Sequence, residues 1–329
     1  MSGRPMISAA EVAGVVMAVT FLAKVCQAFS SSRATTTPPA HQSKGMARGS
    51  TRIPAELKQC EDALLDRLQL ATDAALSAGA AIKLVINMKK NVVHKGATDL
   101  VTETDKANEK MIFDAIRRQF PGDELIGEES SAEAGSIAAL TAAPTWIVDP
   151  VDGTTNFVHG FPMTCVSIGF GRGGKMEVGV VYDPCSDELF QVVRGCGAFV
   201  NGDRASSSGC DDLGNAVVIT EYGYQRDPDA VKTMMEKTEK VLRKCRAIRQ
   251  VGSGCLDLVW VGCGRADAVY SGVAGEGWHP WDYAAGWLFA EEAGSVVTQV
   301  NGNDFHLFSD SVLCAATQAL AEELSCTVR

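Results

Sequence analysis

The sequence lacks the spacings that hold transition metals and the regularity of a cross-linked scaffold. It carries 11 cysteines and five histidines, yet no C-x-x-C, H-x-x-x-H or H-E-x-x-H occurs. That spacing argues against zinc ribbons and helical zinc sites. An odd number of scattered cysteines in a 329-residue chain also argues against a disulfide framework. Most of the thiols are expected to be small buried hydrophobes in a reducing compartment. Aromatic residues make up only 7%, and neither heptads nor an internal repeat is present. The formal net charge of −10 argues against broad electrostatic binding to nucleic acid. A Gly-rich P-loop is absent too, because "GFGRGGK" lacks the G-x4-G-K-[ST] pattern and reads as a hairpin turn.

Acidic residues are missing from one region altogether. Between Val12 and Ala55 there are none, against five basic residues. That region opens with a twelve-residue apolar run, "VAGVVMAVTFLA" at 12–23. The run is too short to span a bilayer but suits a signal-peptide hydrophobic segment. Cys26-Gln27-Ala28 has the small-x-small form of a cleavage site, and a basic Ser/Thr-rich tract follows Phe29. Residues 1–55 therefore read as a removable presequence without a packed core. The arrangement resembles the two-part presequence of algae with secondary plastids and implies delivery to a plastid or other organelle. A cytoplasmic protein with an uncleaved tail is the alternative. The leader holds six basic residues and one acidic, so the remainder carries about −15.

From Glu56 the pattern becomes that of a folded protein. Leu64, Leu65, Leu68, Ala71 and Ala75 form a helical stripe in a segment expected to run from Glu56 to Lys90. A second helix is expected at 105–119, ended by Pro121-Gly122. Short buried strands running into loops are expected at "ELIGEES" and "TWIVDP", another strand at "AVVITE", and a hairpin turning at Gly173-Gly174. Helices are expected near 229–245 and 256–262, and "WDYAAGWLFAEEAGSVVTQV" reads as helix, Gly stop, strand. Interleaved helices, strands and hairpins imply a layered α/β fold with mixed sheets.

Four acidic stretches share one context, an acid where a regular element ends or begins. They are Asp105 in "DLVTETD", Glu128 in "GEES", Asp149 and Asp152 in "DPVDGTTN", and Asp282 in "PWDYAAG". Taken singly, each has a structural explanation. Asp105 and Asp282 would serve as helix N-caps worth about 1 kcal/mol each, and Glu128 as a solvated loop acid. Taken together, convergence costs about 4 kcal/mol per close pair at an effective dielectric near 20. Only hard cations between the acids make that tolerable, and oxygen donors select Mg²⁺ over zinc. Pro150 and Gly153 bend the chain so that Asp149 and Asp152 face one point, with the Val151 carbonyl beside them. The amides of Gly153 and Thr154 would meet a phosphate.

"DPVDGTTNFVHGFP" and "PWDYAAGWLFAEEAG", preceded in order by "DLVTETDKANE" and "LIGEES", closely resemble the signatures of the inositol monophosphatase family. The resemblance runs from about Glu56 to the C-terminus, and "GSGCLDL" and "GCGRADA" look most like its plant branch. It implies the alternating helix and mixed-sheet sandwich shared with fructose-1,6-bisphosphatase, with subdomains near 56–200 and 201–329. It also implies a lithium-sensitive homodimer with two or three Mg²⁺ per site, acting on a small phosphorylated polyol. Magnesium ligands implied by position are Glu128, Asp149, Val151 through its carbonyl, Asp152 and Asp282, with Asp105 completing a further metal site. Thr154 would orient the attacking water with Glu128, and Ser253 and Gly254 would touch the ring. The implied reaction is attack of a metal-activated water on a phosphate monoester without a phosphoenzyme, most simply on myo-inositol 1-phosphate.

One stretch departs from the family. A ring-binding glutamate is expected shortly before "WD", but "VYSGVAGEGWHPWD" is longer and has Ser271 at the expected place. Glu276 in the enlarged loop is the substitute, which leaves catalysis intact and opens the sugar's identity. L-galactose 1-phosphate, histidinol phosphate and fructose 1,6-bisphosphate are the alternative substrates. A non-catalytic binding member of the fold is the alternative from another class, although no ligand is missing. Other phosphatase classes do not fit. Asp149 and Asp152 are separated by two residues where a haloacid-dehalogenase phosphatase needs one, and no C-x5-R or R-H-G is present.

The leader generates a direct expectation. Residues 1–50 fused to a fluorescent protein should carry it out of the cytosol into a plastid of a secondary-plastid alga. Fluorescence that stays cytosolic would eliminate the presequence.

Overall fold

The apolar stripe through Leu64, Leu68, Ala71 and Ala75 folds as α1 (Asp62–Val85) with those side chains buried. The computed structural model describes residues 53–90, 92–94, 100–275 and 277–329, all within the unit Ser50–Arg329. The presequence expected before Ile53 and the ring contact expected of Glu276 lie outside the described residues. The helix expected from Glu56 to Lys90 is shorter and interrupted. A 3-10 turn, Ala55–Gln59, precedes it and Cys60 is extended (φ −73°, ψ 172°). Cys60 is joined to Cys196, 136 residues away, by a disulfide. That link corrects the expectation for this pair of thiols, since partners so distant leave no spacing signal.

An antiparallel pair follows, β1 (Val92–His94) with β2 (Leu100–Thr102), then α2 (Glu103–Gln119), β3 (Glu124–Gly127), α3 (Glu128–Ala134), β4 (Thr145–Asp152) and α4 (Thr154–His159). A meander comes next: β5 (Cys165–Arg172), β6 (Lys175–Asp183), β7 (Glu188–Val193), β8 (Gly197–Val200) and β9 (Asp203–Arg204). Strands β3 to β9 lie in sequence order in a seven-stranded sheet, parallel at β3–β4 and antiparallel beyond. The rest supplies β10 (Val217–Thr220), α5 (Pro228–Leu242), β11 (Ala247–Arg249), α6 (Gly254–Gly262), β12 (Ala268–Ser271), α7 (Pro280–Glu292), β13 (Val296–Thr298), β14 (Val312–Ala315) and α8 (Gln318–Val328). Its five strands are ordered β11-β10-β12-β14-β13, with parallel and antiparallel pairs mixed.

Alternation along the strands creates the layers. In β5, Val166, Ile168 and Phe170 face α1 and α2, whereas Cys165 turns to the opposite side. In β12 and β14, Ala268, Tyr270, Leu313 and Ala315 face the outer helices, and Val269, Val312 and Cys314 face α6 and α7. The order is therefore helices, large sheet, α6 and α7, small sheet, helices: the layered α/β mixed-sheet sandwich expected.

The middle layer is tight because it is built from small residues. A Cβ on Gly179 of β6 would stand 3.0 Å from Ala285 Cα, and one on Gly286 would stand 2.8 Å from Leu258 Cβ. "AAG" in α7 thus lets one helix fit between the large sheet and α6. This fit carries Asp282, in the first turn of α7, to the end of β4.

A similar contact on α1 yields a prediction with a decided sign. Gly79→Ala would gain about 1 kcal/mol of helix propensity. The added Cβ, however, would lie 2.4 Å from the Tyr182 ring, whose hydroxyl donates to Asp187 Oδ1 at 2.8 Å. Overpacking of this kind costs about 1–3 kcal/mol, so clash wins. The urea midpoint should fall at unchanged slope. A rise would show that the ring swings aside freely.

Candidate active site

Asp149 and Asp152 are three apart, so a regular strand would send them to opposite faces. The ladder to β5 is irregular at this point. Asp149 pairs with Ser167 and Asp152 with Cys165, so β4 carries one extra residue. This bulge turns both carboxylates to one side. Oxygens of Asp149, Asp152 and Asp282 lie within 4.8 Å of one another. Asp149 Oδ1 accepts Val151 N–H at 3.0 Å, and Asp152 Oδ2 accepts Cys255 N–H at 3.1 Å and the hydroxyl of Ser253. Gly153 then takes φ +80°, where a Cβ would meet Met163 O at 2.9 Å, so glycine is required.

Capping chemistry places two more acids. Asp282 is not the N-cap of α7 but its third residue, accepting His279 N–H at 2.7 Å. Asp105 stands likewise in α2, accepting Thr102 N–H at 3.0 Å and the Thr102 hydroxyl. These are capping boxes, in which the acid reaches back from the first turn and points off the helix end. Asp105 Oδ1 also accepts from Thr154 Oγ1 at 3.3 Å, and Thr154 Oγ1 lies 3.1 Å from Val151 O. Glu128 begins α3 instead of lying in a loop. Glu109 of α2 holds that helix end, accepting the N–H groups of Glu129 and Ser130 at 2.8 Å each.

A cleft of about 270 Å³ brings Glu128, Asp149, Val151, Asp152, Gly153, Thr154 and Asp282 together. It opens into a larger cavity of about 980 Å³, whose walls include Ser253, Gly254, Glu221 and Trp278. Burial first, and then the charges of Glu128 and Asp152, push the Asp149 carboxyl well above its ordinary range. Burial raises Asp152 as well, against the hydrogen bonds from Ser253 and Cys255. A donor set of carboxylates with the Val151 carbonyl fits a hard divalent cation, whose charge would return these groups to their ionised form. Ser271, by contrast, is buried in β12, its Oγ without a hydrogen-bond partner among the described residues, and it does not line either cavity.

Two residues of the site escaped the sequence reading. Asn156 Nδ2 donates to Met163 O and Val251 O at 2.8 Å each, tying the "DGTTN" turn to the loop before α6. Glu221 Oε1 accepts the N–H groups of Val251 and Gly252 at 2.7 and 2.8 Å, holding the same loop from its other side. Glu221 carried a legible signal, since it ends the apolar run "AVVIT" as the other acids end theirs.

Burial pushes Glu221 up from the ordinary 4.5 to about 7. Between those pH values the folded protein keeps a proton that the unfolded chain has lost. Stability from this group is therefore greatest below the lower value and declines as pH rises through the window, by about 3 kcal/mol in all. Glu221→Gln keeps an acceptor at Oε1 and removes the titration. In denaturant melts across this window without divalent cations, wild type should lose stability relative to the variant. Parallel curves would contradict a protonated Glu221.

The description "Inositol monophosphatase family" matches residues 64–329. An inositol monophosphatase of Mesembryanthemum crystallinum is 48% identical over 74% of this chain and 89% of its own length. Inositol monophosphatase 1 of Solanum lycopersicum is 47% identical over 78% and 92%. Among solved structures, the Thermotoga maritima enzyme superposes with a TM-score of 0.71 at 31% identity, covering 80% of this chain and 96% of that one. The residues before Leu64 lie outside the family match. With sequence agreement over nearly their full length and the same architecture, the chain belongs to the inositol monophosphatase family.

Proposed function

We propose that this protein is a magnesium-dependent phosphatase of phosphorylated polyols, acting on myo-inositol 1-phosphate. The observation that carries the reading is the β4 bulge, which sets Asp149 and Asp152 on one side within 4.8 Å of an oxygen of Asp282. Glu128, Asp149, the Val151 carbonyl, Asp152 and Asp282 would hold two Mg²⁺, and Asp105 would contribute to a third. When bound, the ions lower the pKa of a water and neutralise phosphate oxygens.

The chain's own groups do the rest. Thr154 Oγ1, with its proton directed to Asp105 Oδ1, offers a lone pair to the attacking water, and Glu128 fixes that water from the other side. Gly153 and Thr154 line the cleft, where their backbone amides would meet the phosphate. Ser253 and Gly254 border the ring, and Glu221 and Asn156 steady the loop that carries them. Leaving-group protonation comes from solvent through the open cavity. The family supports a homodimer and lithium inhibition, and the N-terminal extension supports organellar delivery.

The test is phosphate release from myo-inositol 1-phosphate, L-galactose 1-phosphate and fructose 1,6-bisphosphate, with Mg²⁺ and with or without Li⁺. Lithium-blocked release, fastest from the inositol ester, is expected. Asp149→Asn should reduce turnover by at least about 100-fold while the protein stays folded, since the lost group bears directly on transition-state charge. Retained turnover in that variant would refute the site. Silence of wild type on all three esters would favour a binding member of the fold.

A further inference from the structure

Asp152 has neighbours that the hydrolytic reaction does not use. Its Oδ2 lies 3.5 Å from Cys165 Sγ, and Cys165 Sγ lies 3.8 Å from Ser253 Oγ. One oxygen of Asp152 and the sulfurs of Cys165 and Cys255 all lie within 4.8 Å of one another. All three residues are buried. Cys165 opens β5 in the large sheet, while Cys255 sits in the first turn of α6, between the two sheets. The two thiols are 90 residues apart and meet only through the fold. Sulfur offers little to magnesium, which takes hard oxygen donors, but thiolates select zinc and its heavier relatives.

We propose that Cys165, Cys255 and Asp152 form a site for a thiophilic divalent cation, Zn²⁺ or Cd²⁺, that silences the enzyme by withdrawing Asp152 from magnesium. The dimensions are near those required. Zn–S bonds of about 2.3 Å and Zn–O bonds of about 2.1 Å make tetrahedral edges of about 3.6 Å for S···O and about 3.8 Å for S···S. The observed S···O separation is already 3.5 Å, and the sulfurs need to close by at most about 1 Å. Ser253 Oγ, 3.8 Å from Cys165 Sγ, donates to Asp152 Oδ2 and steadies that carboxylate from outside the donor set. Binding is a simple exchange: each thiol proton passes to solvent as its sulfur bonds the ion, and nothing is oxidised. Asp152 belongs to both donor sets, so a soft ion that draws its carboxylate toward the sulfurs and repels a neighbouring divalent cation is antagonistic to magnesium. The inhibitory half of the proposal rests on the phosphatase reading, whereas the binding half does not.

The test titrates the full-length protein with Cd²⁺, following ultraviolet cadmium–thiolate absorbance. Zn²⁺ inhibition of magnesium-dependent hydrolysis is measured in parallel. Wild type should bind one more Cd²⁺ than Cys165→Ala/Cys255→Ala, with the absorbance of two thiolates. The Zn²⁺ concentration for half-inhibition should rise at least about 100-fold in the double variant, because losing even an outer-sphere partner of a metal costs 10–100-fold. The single variant Cys165→Ser, which conserves volume, should lose the same ion if the double variant does not fold. Equal cadmium absorbance in wild type and variants would overturn the site. Unchanged Zn²⁺ sensitivity alongside a lost absorbance would overturn its inhibitory role. Should no substrate be hydrolysed, the absorbance difference still decides the binding.

Discussion

Mutual repulsion among Glu128, Asp149, Asp152 and Asp282 is what the surrounding structure has to hold in check. At a separation of about 4 Å each ionised pair costs about 4 kcal/mol near the surface and more in a buried setting. Every acid is therefore tied to a backbone that cannot retreat. Asp149 is tied to Val151 N–H, Asp152 to Cys255 N–H, and Asp282 to His279 N–H. Glu128 is fixed through the end of α3, which Glu109 grips. Three elements, α3, β4 and α7, carry these acids, so the cluster is also a joint between the large sheet and the helices packed on it. A divalent cation turns its repulsion into attraction.

The same joint explains why so much of the signature chemistry is small or bent. Asp282 reaches β4 only because α7 passes between α6 and the large sheet, and Gly179, Ala284, Ala285 and Gly286 leave no room for larger side chains there. Pro150 lies within the bulge that brings two aspartates to one side, and Gly153 follows it. Asn156 and Glu221 then hold the Val251–Ser253 loop from opposite sides. These residues transmit position; the acids supply charge.

Much of this was legible in the chain. The helical stripe from Leu64 to Ala75, the turn at Gly173-Gly174 and the four acid motifs each carry a local physical cause: a period, a positive φ or an element end. Errors arose where the cause is not local. Asp105 and Asp282 were expected as N-caps, but Thr102 and His279 take that place and the acids cap from the third position. The helix from Glu56 to Lys90 is broken near Cys60, whose disulfide partner lies on the turn before β8. Glu221 bears the same mark as the other acids, at the end of an apolar run, but no familiar motif surrounds it.

By itself the sequence determined the element types, the layered class and the identity of the acids, because periodicity, capping and turn chemistry act over a few residues. It also marked the first 55 residues as different in composition. Only the tertiary structure decided that the acids converge, through one extra residue in β4 whose effect depends on its pairing with β5. It alone brought Ser253 and Cys255 to Asp152 from about a hundred residues away, and set Glu221 beside the loop before α6. Such contacts come from the packing of two sheets around α7, and packing is a property of the whole chain.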